Sequence, residues 1–486
     1  MSSTPVGRPS YAAVLRIPHA RRTFGAALLG RLSYGIVPLS VMLAVNRASG
    51  SYTVAGTVMA LFGATSVFLS PARAALIDRH GPRRTLVPMV TAYAALLGLL
   101  TLLVRRPGAV SPLVLGAVTA TAGACTPPLG PTMRAVWGRL APDRGLLQRA
   151  YSLDGVAEEL LFVSGPLLVG ILTGFAPPAA GIAFGTGLIV AGTAAFTSSP
   201  AVGATRPAEA GRGRRGGRWD GGVRGWRLRG LVCGAAGARL SALRRVRVGQ
   251  DAVAPGAPQG LRAGPGAAGR SVLRGVLSRV RRGAGRGVLR GILQPVVAAG
   301  GVGLTLGVVD LVVVAFAEQR HYGDGAVAWT LAALSAGSAV GGLVNGAVHW
   351  RVPAPVRLPL AAAGLGVALL GAGCAAGLGT LAVTLAAAGF FVSPALTTAY
   401  LIADDAAAPQ ARVRAGAWVN TGVNAGSTAG AAVAGPLVGG VPTALCFAAA
   451  GTAALLTALA TVRRSRARNT LRAAPERGGA KSVPAA

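Results

Sequence analysis

Four acidic side chains lie in or beside long apolar stretches, where a carboxylate can pair with a cation or carry a proton. Asp154, Glu158 and Glu159 are close together, and Asp310 lies in a separate stretch. At ~100° per residue, Asp154 and Glu158 share one helix face and Glu159 points away from it. Arg31 is the single charge between residues 24 and 44. Because a charge at the bilayer centre costs at least ~2.5 kcal/mol, these five residues are candidates for proton coupling or for lining a cavity.

Two interpretations of Arg31 and the nearby acids differ in whether Arg31 forms an ion pair with one of them. In the first, Arg31 forms an ion pair with Glu158 or Glu159 across a water-filled cavity, and one carboxylate is left without a cation. Desolvation favours the protonated form of such a carboxylate, which could then take up and release a proton. In the second, Arg31 extends to the membrane surface and the acids cap the start of their helix. The sequence leaves both open. Further candidates for lining a cavity are Thr126, Pro127, Pro128, Asn420 and Asn424.

The composition places these residues in a membrane protein. The chain has 486 residues, of which 52% are hydrophobic and 13% charged, and its mean hydropathy is +0.55. Soluble domains carry about twice that charged fraction, so a soluble multidomain enzyme is excluded. Four cysteines without paired spacing give neither a disulfide framework nor a zinc pattern. The sequence also lacks a Walker A motif, Gly-x-Ser-x-Gly and His-Glu-x-x-His, so we expect no enzyme activity, no metal and no cofactor.

Charge-free runs of the chain predict the helices that position these residues. One crossing of a bilayer needs about 20 apolar residues, and the runs supply six crossings in 1–200 and six more in 291–465. Double-length runs divide at Pro or Gly clusters in 176–178, 371–379 and 439–442. We therefore expect an all-α integral membrane protein of 12 transmembrane helices, arranged as two six-helix bundles.

The distribution of cations predicts the orientation. Lys and Arg number 48 against 14 Asp and Glu, which gives a net charge of +34. With both termini in the cytoplasm, all but four cations fall on the cytoplasmic side, as the positive-inside rule requires. We expect no cleaved signal peptide, because the first apolar stretch is long enough to stay as an anchor. The near-absence of lysine fits a GC-rich genome of the actinobacterial type.

The segment 201–290 separates the two bundles and is strongly basic. It holds 20 arginines and three acids among Gly, Ala, Val, Leu and Pro. We interpret it as a disordered cytoplasmic linker, with partial helices lying on anionic lipid as the alternative. It has few aromatic residues for stacking on bases, and we expect no nucleic-acid partner. Residues 466–486 are predicted to form a basic cytoplasmic tail.

A short loop between the second and third predicted spans carries a recognisable motif. Its sequence includes Asp78, Arg79, Gly81, Arg83 and Arg84. The loop resembles the signature Gly-x-x-x-Asp-Arg-x-Gly-Arg-Arg of the major facilitator superfamily, with alanine at the first position. The resemblance, which covers essentially the whole chain outside 201–290, implies the major facilitator fold with pseudo-symmetric halves. It also implies that the aspartate faces a helix N-terminus in the opposite bundle and that the arginines lock a cytoplasmic gate. The alternative is an ordinary basic loop with one acid.

A second motif occurs in both halves. Gly165-Pro166 and Gly435-Pro436 are 270 residues apart and lie in the fifth and eleventh predicted spans. Proline removes a backbone hydrogen bond and glycine permits close packing, so each helix could bend there. The pattern resembles the fifth-helix motif of drug/proton antiporters within the superfamily. Ordinary helix packing is the alternative.

The resemblance implies a function in transport. We expect a monomeric secondary transporter, embedded in the lipid bilayer of a bacterial plasma membrane, that exports a small organic substrate in exchange for protons by alternating access. Proton-coupled uptake of a small solute is the alternative within this class. A membrane-anchored scaffold with a basic cytoplasmic arm is the alternative from a different class.

Overall fold

The computed structural model describes residues 10–105, 108, 110–203, 286–322, 324–438 and 440–473. Of the predicted linker 201–290, only the two ends belong to the described residues. The predicted tail is described as far as residue 473, where it continues the last helix. The described chain is helical throughout, with one turn of 3-10 helix at Pro409–Ala411.

The N-terminal bundle is formed by the first ten helices. Two of its predicted spans are interrupted, one at Leu69 and one at Thr126-Pro127-Pro128, so that each consists of two consecutive helices. The helices are α1 (Tyr11–Arg16), α2 (Ala20–Ser49), α3 (Tyr52–Phe68), α4 (Ser70–His80), α5 (Pro82–Leu103), α6 (Pro112–Cys125), α7 (Leu129–Leu140), α8 (Arg144–Thr173), α9 (Pro178–Ser198) and α10 (Pro200–Gly203).

The C-terminal bundle is formed by six long helices. Their boundaries agree with the predicted breaks, because the connections fall at 374–377 and 439–442. The first of them begins at Arg286, inside the predicted linker. The helices are α11 (Arg286–Gln319), α12 (Asp324–Ala347), α13 (Ala354–Gly373), α14 (Leu378–Ala406), α15 (Arg412–Val438) and α16 (Thr443–Ala473).

Eleven segments of the described chain are long and apolar enough to cross a membrane. Two of them, Tyr52–His80 and Pro112–Leu140, each combine two helices. The predicted eleventh span, α15, is 27 residues long but falls outside this set. It is rich in Gly, Asn, Ser and Thr, and side chains of this kind suit a helix that faces a polar interior. The six-plus-six arrangement of helices is the predicted fold.

The two bundles meet along a small set of helices. On one side α8 packs against α12 and α14, and on the other α15 packs against α3, α4 and α7. We define the proximal end of the molecule as the end that carries Tyr11, Gly81 and the 407–411 connection, and the distal end as the opposite one. The sequence predicts that the proximal end is cytoplasmic.

The loop at Gly81 has a backbone that only glycine adopts readily. Gly81 ends α4 and precedes α5 with φ of 85°, in the left-handed half of conformational space. Pro82 then occupies the first position of α5, where its missing N–H has no partner to lose. The two helices can therefore reverse direction within one residue, which places the predicted motif at the proximal surface.

Candidate functional site

Two arginines and two acids form a buried cluster within the N-terminal bundle. Arg31 on α2 donates through Nη1 to Asp154 Oδ1 at 2.6 Å, and its Nη2 lies 3.0 Å from Glu158 Oε1. Arg134 on α7 places Nε 2.9 Å from Asp154 Oδ2, and its Nη2 donates to Glu158 Oε2. Each acid contacts both guanidinium groups, so the four charges balance. We refer to these four residues as the charge quartet.

The members of the quartet differ in exposure, and Glu158 is the most exposed of them. The side chains of Asp154 and Arg31 are 0% and 2% exposed, whereas Glu158 is 31% exposed. The guanidinium of Arg134 also lies over the ring of Tyr400 on α14, 3.9 Å from its centroid. Buried charges are tolerated when they are paired, and an arginine over an aromatic face gains a further attraction. The quartet thus joins α2, α7 and α8 and contacts the C-terminal bundle through Tyr400.

Of the two partners predicted for Arg31, the structure pairs it with Glu158 and not with Glu159, and it adds Asp154, which was not predicted as a partner. Arg31 is buried, so the interpretation in which it extends to the membrane surface is wrong. The acids do not cap their helix either, because α8 begins at Arg144 and its N-cap is Asp143. Asp154 is therefore about 15 Å along the helix at ~1.5 Å per residue, rather than at its start.

The sequence analysis did not identify Arg134 as a candidate. Arg134 lies on α7, which is separated from α6 by the break at Pro127-Pro128 and is buried from Leu129 to Trp137. A signal was nevertheless present. Two acids on one buried helix face need two cations, and Arg31 supplies only one.

Glu159 faces the opposite bundle and not the quartet. Its Oε1 accepts a hydrogen bond of 2.8 Å from the hydroxyl of Ser338 on α12. Within the described part of the chain, Glu159 has no cation within 4 Å. Of the two candidates named from the sequence, Glu159 is therefore the carboxylate that lacks a cationic partner, and it lies at the interface between the bundles.

Asp310 does not join the other candidates. It lies in α11 with an exposed side chain, nine residues before the helix ends at Gln319. Among the described residues it makes neither an ion pair nor a hydrogen bond through its side chain. The structure therefore separates Asp310 from the four candidates of the N-terminal bundle.

A cavity of about 250 Å³ lies between the bundles on the distal side of the quartet. Arg31 and Glu158 form part of its wall, and Tyr34, Phe62 and Phe162 add aromatic surface. The cavity-lining residues proposed from the sequence all line it: Thr126, Pro127, Pro128, Asn420 and Asn424. The last two come from α15, which accounts for the polar character of that helix.

A further arginine, Arg73 on α4, lines the same cavity. Its Nη1 donates to the carbonyl oxygens of Gly123 at 2.7 Å and Ala124 at 3.0 Å. In an unbroken helix these carbonyls would accept from residues 127 and 128, but both are prolines and have no N–H. Arg73 therefore replaces two missing backbone donors. Its side chain is 6% exposed, its Nε has no hydrogen-bond partner, and no carboxylate of the described chain lies within 4 Å of it.

At the proximal end, Asp78 contacts the opposite bundle. Its Oδ1 accepts from the backbone N–H of Val413 at 3.2 Å, and its Oδ2 accepts from that of Arg414 at 2.9 Å. These are N–H groups of the first turn of α15, which have no acceptor within their own helix. The prediction that Asp78 faces a helix N-terminus in the other bundle is confirmed.

The arginines of this motif do not reach across to the C-terminal bundle. Arg83 donates through Nε to the carbonyl of Thr197 at 2.5 Å and through Nη2 to that of Ser198 at 3.3 Å, at the end of α9 in its own bundle. Arg79 and Arg84 are exposed and make no contact with a carboxylate of the described chain. The expected lock by these three arginines is therefore not present as a contact between the bundles in the described chain, and their part in a cytoplasmic gate stays a prediction.

Other residues make the contacts that had been expected of that lock. Arg412 on α15 donates to the carbonyl of Gly138 on α7 at 2.8 Å, and Arg144 on α8 lies 2.8 Å from Asp405 on α14. Nearby, the amide of Gln148 donates to the carbonyl of Asn345 at 2.5 Å. The proximal end of the interface is thus closed by a set of contacts from both bundles.

The two Gly-Pro motifs differ in their surroundings. A Cβ added at Gly165 would lie 2.6 Å from the Cα of Gly35, so α8 and α2 approach here as closely as glycine allows. A Cβ at Gly435 would meet nothing within 4 Å, so the close packing expected there is absent. Pro166 lies within α8, whereas Pro436 lies in the last turn of α15. Equivalent positions in the two halves therefore do not carry equivalent contacts.

The described residues hold no cluster of three or more His, Cys, Asp or Glu side chains that could bind a metal ion. The charged residues of the site instead form ion pairs with one another, bind backbone groups or line the cavity. Such an arrangement suits binding and conformational change, because paired charges can exchange partners when the helices move.

Comparisons with known proteins place this arrangement in a family. The described fold is similar to the crystal structure of the human organic anion transporter MFSD10 (TETRAN), with a TM-score of 0.60 and 16% identity over 91% of this chain and 99% of that one. It is also similar to a bacterial homologue of the iron transporter ferroportin in an outward-facing state (TM-score 0.56, 12% identity, 92% and 99% coverage). No curated protein sequence matches the chain. A family model described as Major Facilitator Superfamily matches residues 23–305, more than half of the sequence. The chain belongs to the Major Facilitator Superfamily and is a multi-pass secondary transporter of that fold.

Proposed function

We propose that this transporter exports a small organic molecule across a bacterial plasma membrane in exchange for protons, with both termini in the cytoplasm. The observation that carries the proposal is the cavity between the bundles, which has the charge quartet at its proximal side. Alternating access requires a central site that opens to one side at a time. The direction of transport rests on the resemblance of the Gly165-Pro166 stretch to the drug/proton antiporters.

The contacts between the bundles support a closed cytoplasmic gate. The hydrogen bonds that join the two bundles in the described chain lie level with the cavity or on its proximal side. With the proximal end in the cytoplasm, this state offers the cavity to the outside. Asp78 and Arg412 then belong to a gate that must open before substrate can enter from the cytoplasm.

Glu159 is our choice for the residue that carries the proton. Protonation of Glu158 would break ion pairs with two guanidinium groups, whereas Glu159 can take a proton without losing a cation. Its bond to Ser338 crosses the interface that must separate when the gate changes state. A proton on Glu159 can therefore change the contact between the bundles directly. Glu158 could take up a proton only after Arg31 or Arg134 has moved away from it.

The charges around the cavity favour an anionic group on the substrate. Arg31, Arg73 and Arg134 bring three positive charges, and Asp154 and Glu158 bring two negative ones. The remaining positive charge belongs to Arg73, which has no acid beside it. A substrate carboxylate could compensate this charge, while the aromatic wall contacts its apolar part.

Transport in inverted membrane vesicles tests the proposed coupling. An imposed pH gradient, acidic inside, is followed with a pH-sensitive dye while organic carboxylates, neutral compounds and cations are added in turn. We expect a member of the panel to dissipate the gradient in the intact protein and not in Glu159→Gln. The matched control is Glu318→Gln, which removes an exposed carboxylate at the distal end of α11.

Two outcomes would contradict the proposal. If Glu159→Gln retains exchange with an unchanged dependence on external pH, Glu159 is not the proton carrier. If substrate moves with protons rather than against them, the protein is an importer. A scaffold without transport would show no response in any variant.

A further inference from the structure

A second cavity, distinct from the central one, lies at the proximal end. Its volume is about 330 Å³. The N-terminal bundle contributes the first two turns of α8, and the C-terminal bundle contributes the α12–α13 connection and the end of α14. The cavity therefore exists only while the two bundles are together at this end. We call it the basic pocket, and its charged lining residues are Arg144, Arg149, Arg351, Arg357 and Asp405.

The basic pocket has more positive than negative charge. Arg144 forms an ion pair of 2.8 Å with Asp405. The guanidinium groups of Arg149, Arg351 and Arg357 have no carboxylate within 4 Å in the described part of the chain. Three positive charges thus remain in one pocket, and such charges repel one another unless an anion lies between them.

Arg149 points to a missing partner. Its side chain is only 2% exposed, and its Nη1 is buried with no hydrogen-bond acceptor. Its Nη2 lies 3.5 Å from Nε2 of His349, at the limit of hydrogen bonding. A buried guanidinium without an anion is costly, because it has lost its hydration and gained no charge in return.

Arg357 repeats the pattern from the other bundle. Its Nη1 donates to Oε1 of Gln148 at 3.1 Å, while its buried Nε has no acceptor. Its guanidinium lies over the ring of Trp350, 5.2 Å from the ring centroid. Arg149 on α8 and Arg357 on α13 therefore both line this pocket, and each has one buried nitrogen without a hydrogen-bond acceptor.

We propose that the basic pocket binds a phosphate group and that the bound phosphate holds the proximal end closed. A phosphate dianion supplies several acceptor oxygens and two charges, which suits separate guanidinium groups better than a single carboxylate does. Since the donors come from both bundles, the ligand binds the closed state and not the open one. Because the ligand binds the closed state more tightly than the open state, it raises the fraction of molecules that are closed at the proximal end. The phosphate can come from a soluble phosphate or from the headgroup of an anionic lipid, and the pocket volume admits either.

Binding to the purified full-length protein tests the proposal. In neutral detergent at constant ionic strength, inorganic phosphate is titrated against a chloride reference and binding is followed by the thermal unfolding midpoint. In a second arm, the midpoint is compared in nanodiscs of phosphatidylcholine alone and of phosphatidylcholine with phosphatidylglycerol. We expect the phosphate or the anionic lipid to stabilise the protein in at least one arm. Arg149→Gln should weaken the binding that causes this stabilisation about tenfold or more. The matched control, Arg463→Gln, removes an exposed arginine outside the pocket and leaves it unchanged.

The two arms identify the source of the phosphate group, and the variants show whether it binds in the basic pocket. Stabilisation by inorganic phosphate indicates a soluble ligand, whereas stabilisation only by phosphatidylglycerol indicates a lipid headgroup. Arg351→Gln alters an exposed residue and provides the same test if Arg149→Gln does not fold. Absence of stabilisation in both arms, or stabilisation that neither pocket variant weakens, overturns the proposal. The measurement involves no substrate and no pH gradient, so its result is independent of the proposed exchange.

Discussion

Oδ2 of Asp78 lies 2.9 Å from the backbone nitrogen of Arg414, across the boundary between the two bundles. The carboxylate occupies the N-terminus of α15, where unpaired N–H groups and the helix dipole both favour a negative charge. This helix also supplies Asn420 and Asn424 to the central cavity. A residue at the proximal surface is therefore connected to the cavity by one continuous helix.

Replacing Asp78 by asparagine should loosen the proximal end without unfolding the protein. Asparagine keeps one acceptor oxygen but loses the charge and the second acceptor, which corresponds to about 1 kcal/mol at a helix N-terminus. The balance between closed and open states should move several-fold toward open. Distances between spin labels placed on the two bundles at the proximal end would measure the shift.

Asp143→Asn is the matched control for this change. Asp143 caps α8 by accepting from the N–H of Leu146 at 2.9 Å, entirely within its own bundle. Its loss should lower stability by a similar amount and leave the label distances as they are. Equal distance changes in both variants would mean that Asp78 acts as a general helix cap and not as a gate.

The two glycines of the Gly-Pro motifs should respond oppositely to alanine. In Gly165→Ala the new methyl group would be 2.6 Å from the Cα of Gly35, so α8 and α2 must separate and stability should fall by about 1–3 kcal/mol. In Gly435→Ala the methyl group meets nothing, and the better helix propensity of alanine should leave stability equal or higher by up to ~1 kcal/mol. Thermal unfolding of both variants in the same detergent measures the difference. Similar losses would show that the two motifs pack alike.

The sequence was sufficient for features that depend on local chemistry. The breaks at Pro177-Pro178 and at 439–442 follow from residues that end helices, and the shared face of Asp154 and Glu158 follows from helical periodicity. The pair between Arg31 and Glu158 was one of several alternatives that the sequence left open. The placement of Asp78 followed from the resemblance of its loop to a family motif. Each of these predictions uses one helix or one recognised segment.

Features that depend on packing between helices were not predictable in this way. Arg134 on α7 contacts acids of α8, and Arg83 at the start of α5 binds the end of α9. Gly435 repeats the letters of Gly165 but faces no neighbouring backbone. Such contacts depend on where a second helix packs, and the sequence of the first helix does not specify that position.

Removing a single charge from the quartet should cost more than removing one of each sign. Arg134→Gln leaves two carboxylates with one guanidinium, and breaking a buried network in this way costs about 3–5 kcal/mol. The double variant Arg134→Gln with Glu158→Gln keeps the pair between Arg31 and Asp154, so part of the loss should be regained. Unfolding midpoints of the single and double variants decide the matter. If the double variant is no more stable than Arg134→Gln, the quartet is not balanced by charge.

Arg73 should determine whether the central cavity prefers an anion. Aryl carboxylates and their primary amides, for example 1-naphthoate and 1-naphthamide, have nearly the same shape and differ in charge. We expect the carboxylates to stabilise the purified protein more than the amides do. A charge-assisted hydrogen bond contributes about 1.5–3 kcal/mol, so Arg73→Gln should reduce carboxylate affinity about tenfold or more and leave amide affinity nearly unchanged.

Two further variants separate the charge of Arg73 from its structural role. Arg73→Lys keeps the charge but loses the guanidinium fork, whose Nη1 donates to Gly123 and Ala124 while Nη2 donates to the carbonyl of Ser66, so it should retain the preference for carboxylates with a lower unfolding midpoint. Arg47→Gln removes an exposed arginine at the distal end and should alter neither quantity. If amides bind as tightly as carboxylates, or if Arg73→Gln lowers the midpoint without changing the preference, then Arg73 serves only to support the broken helix.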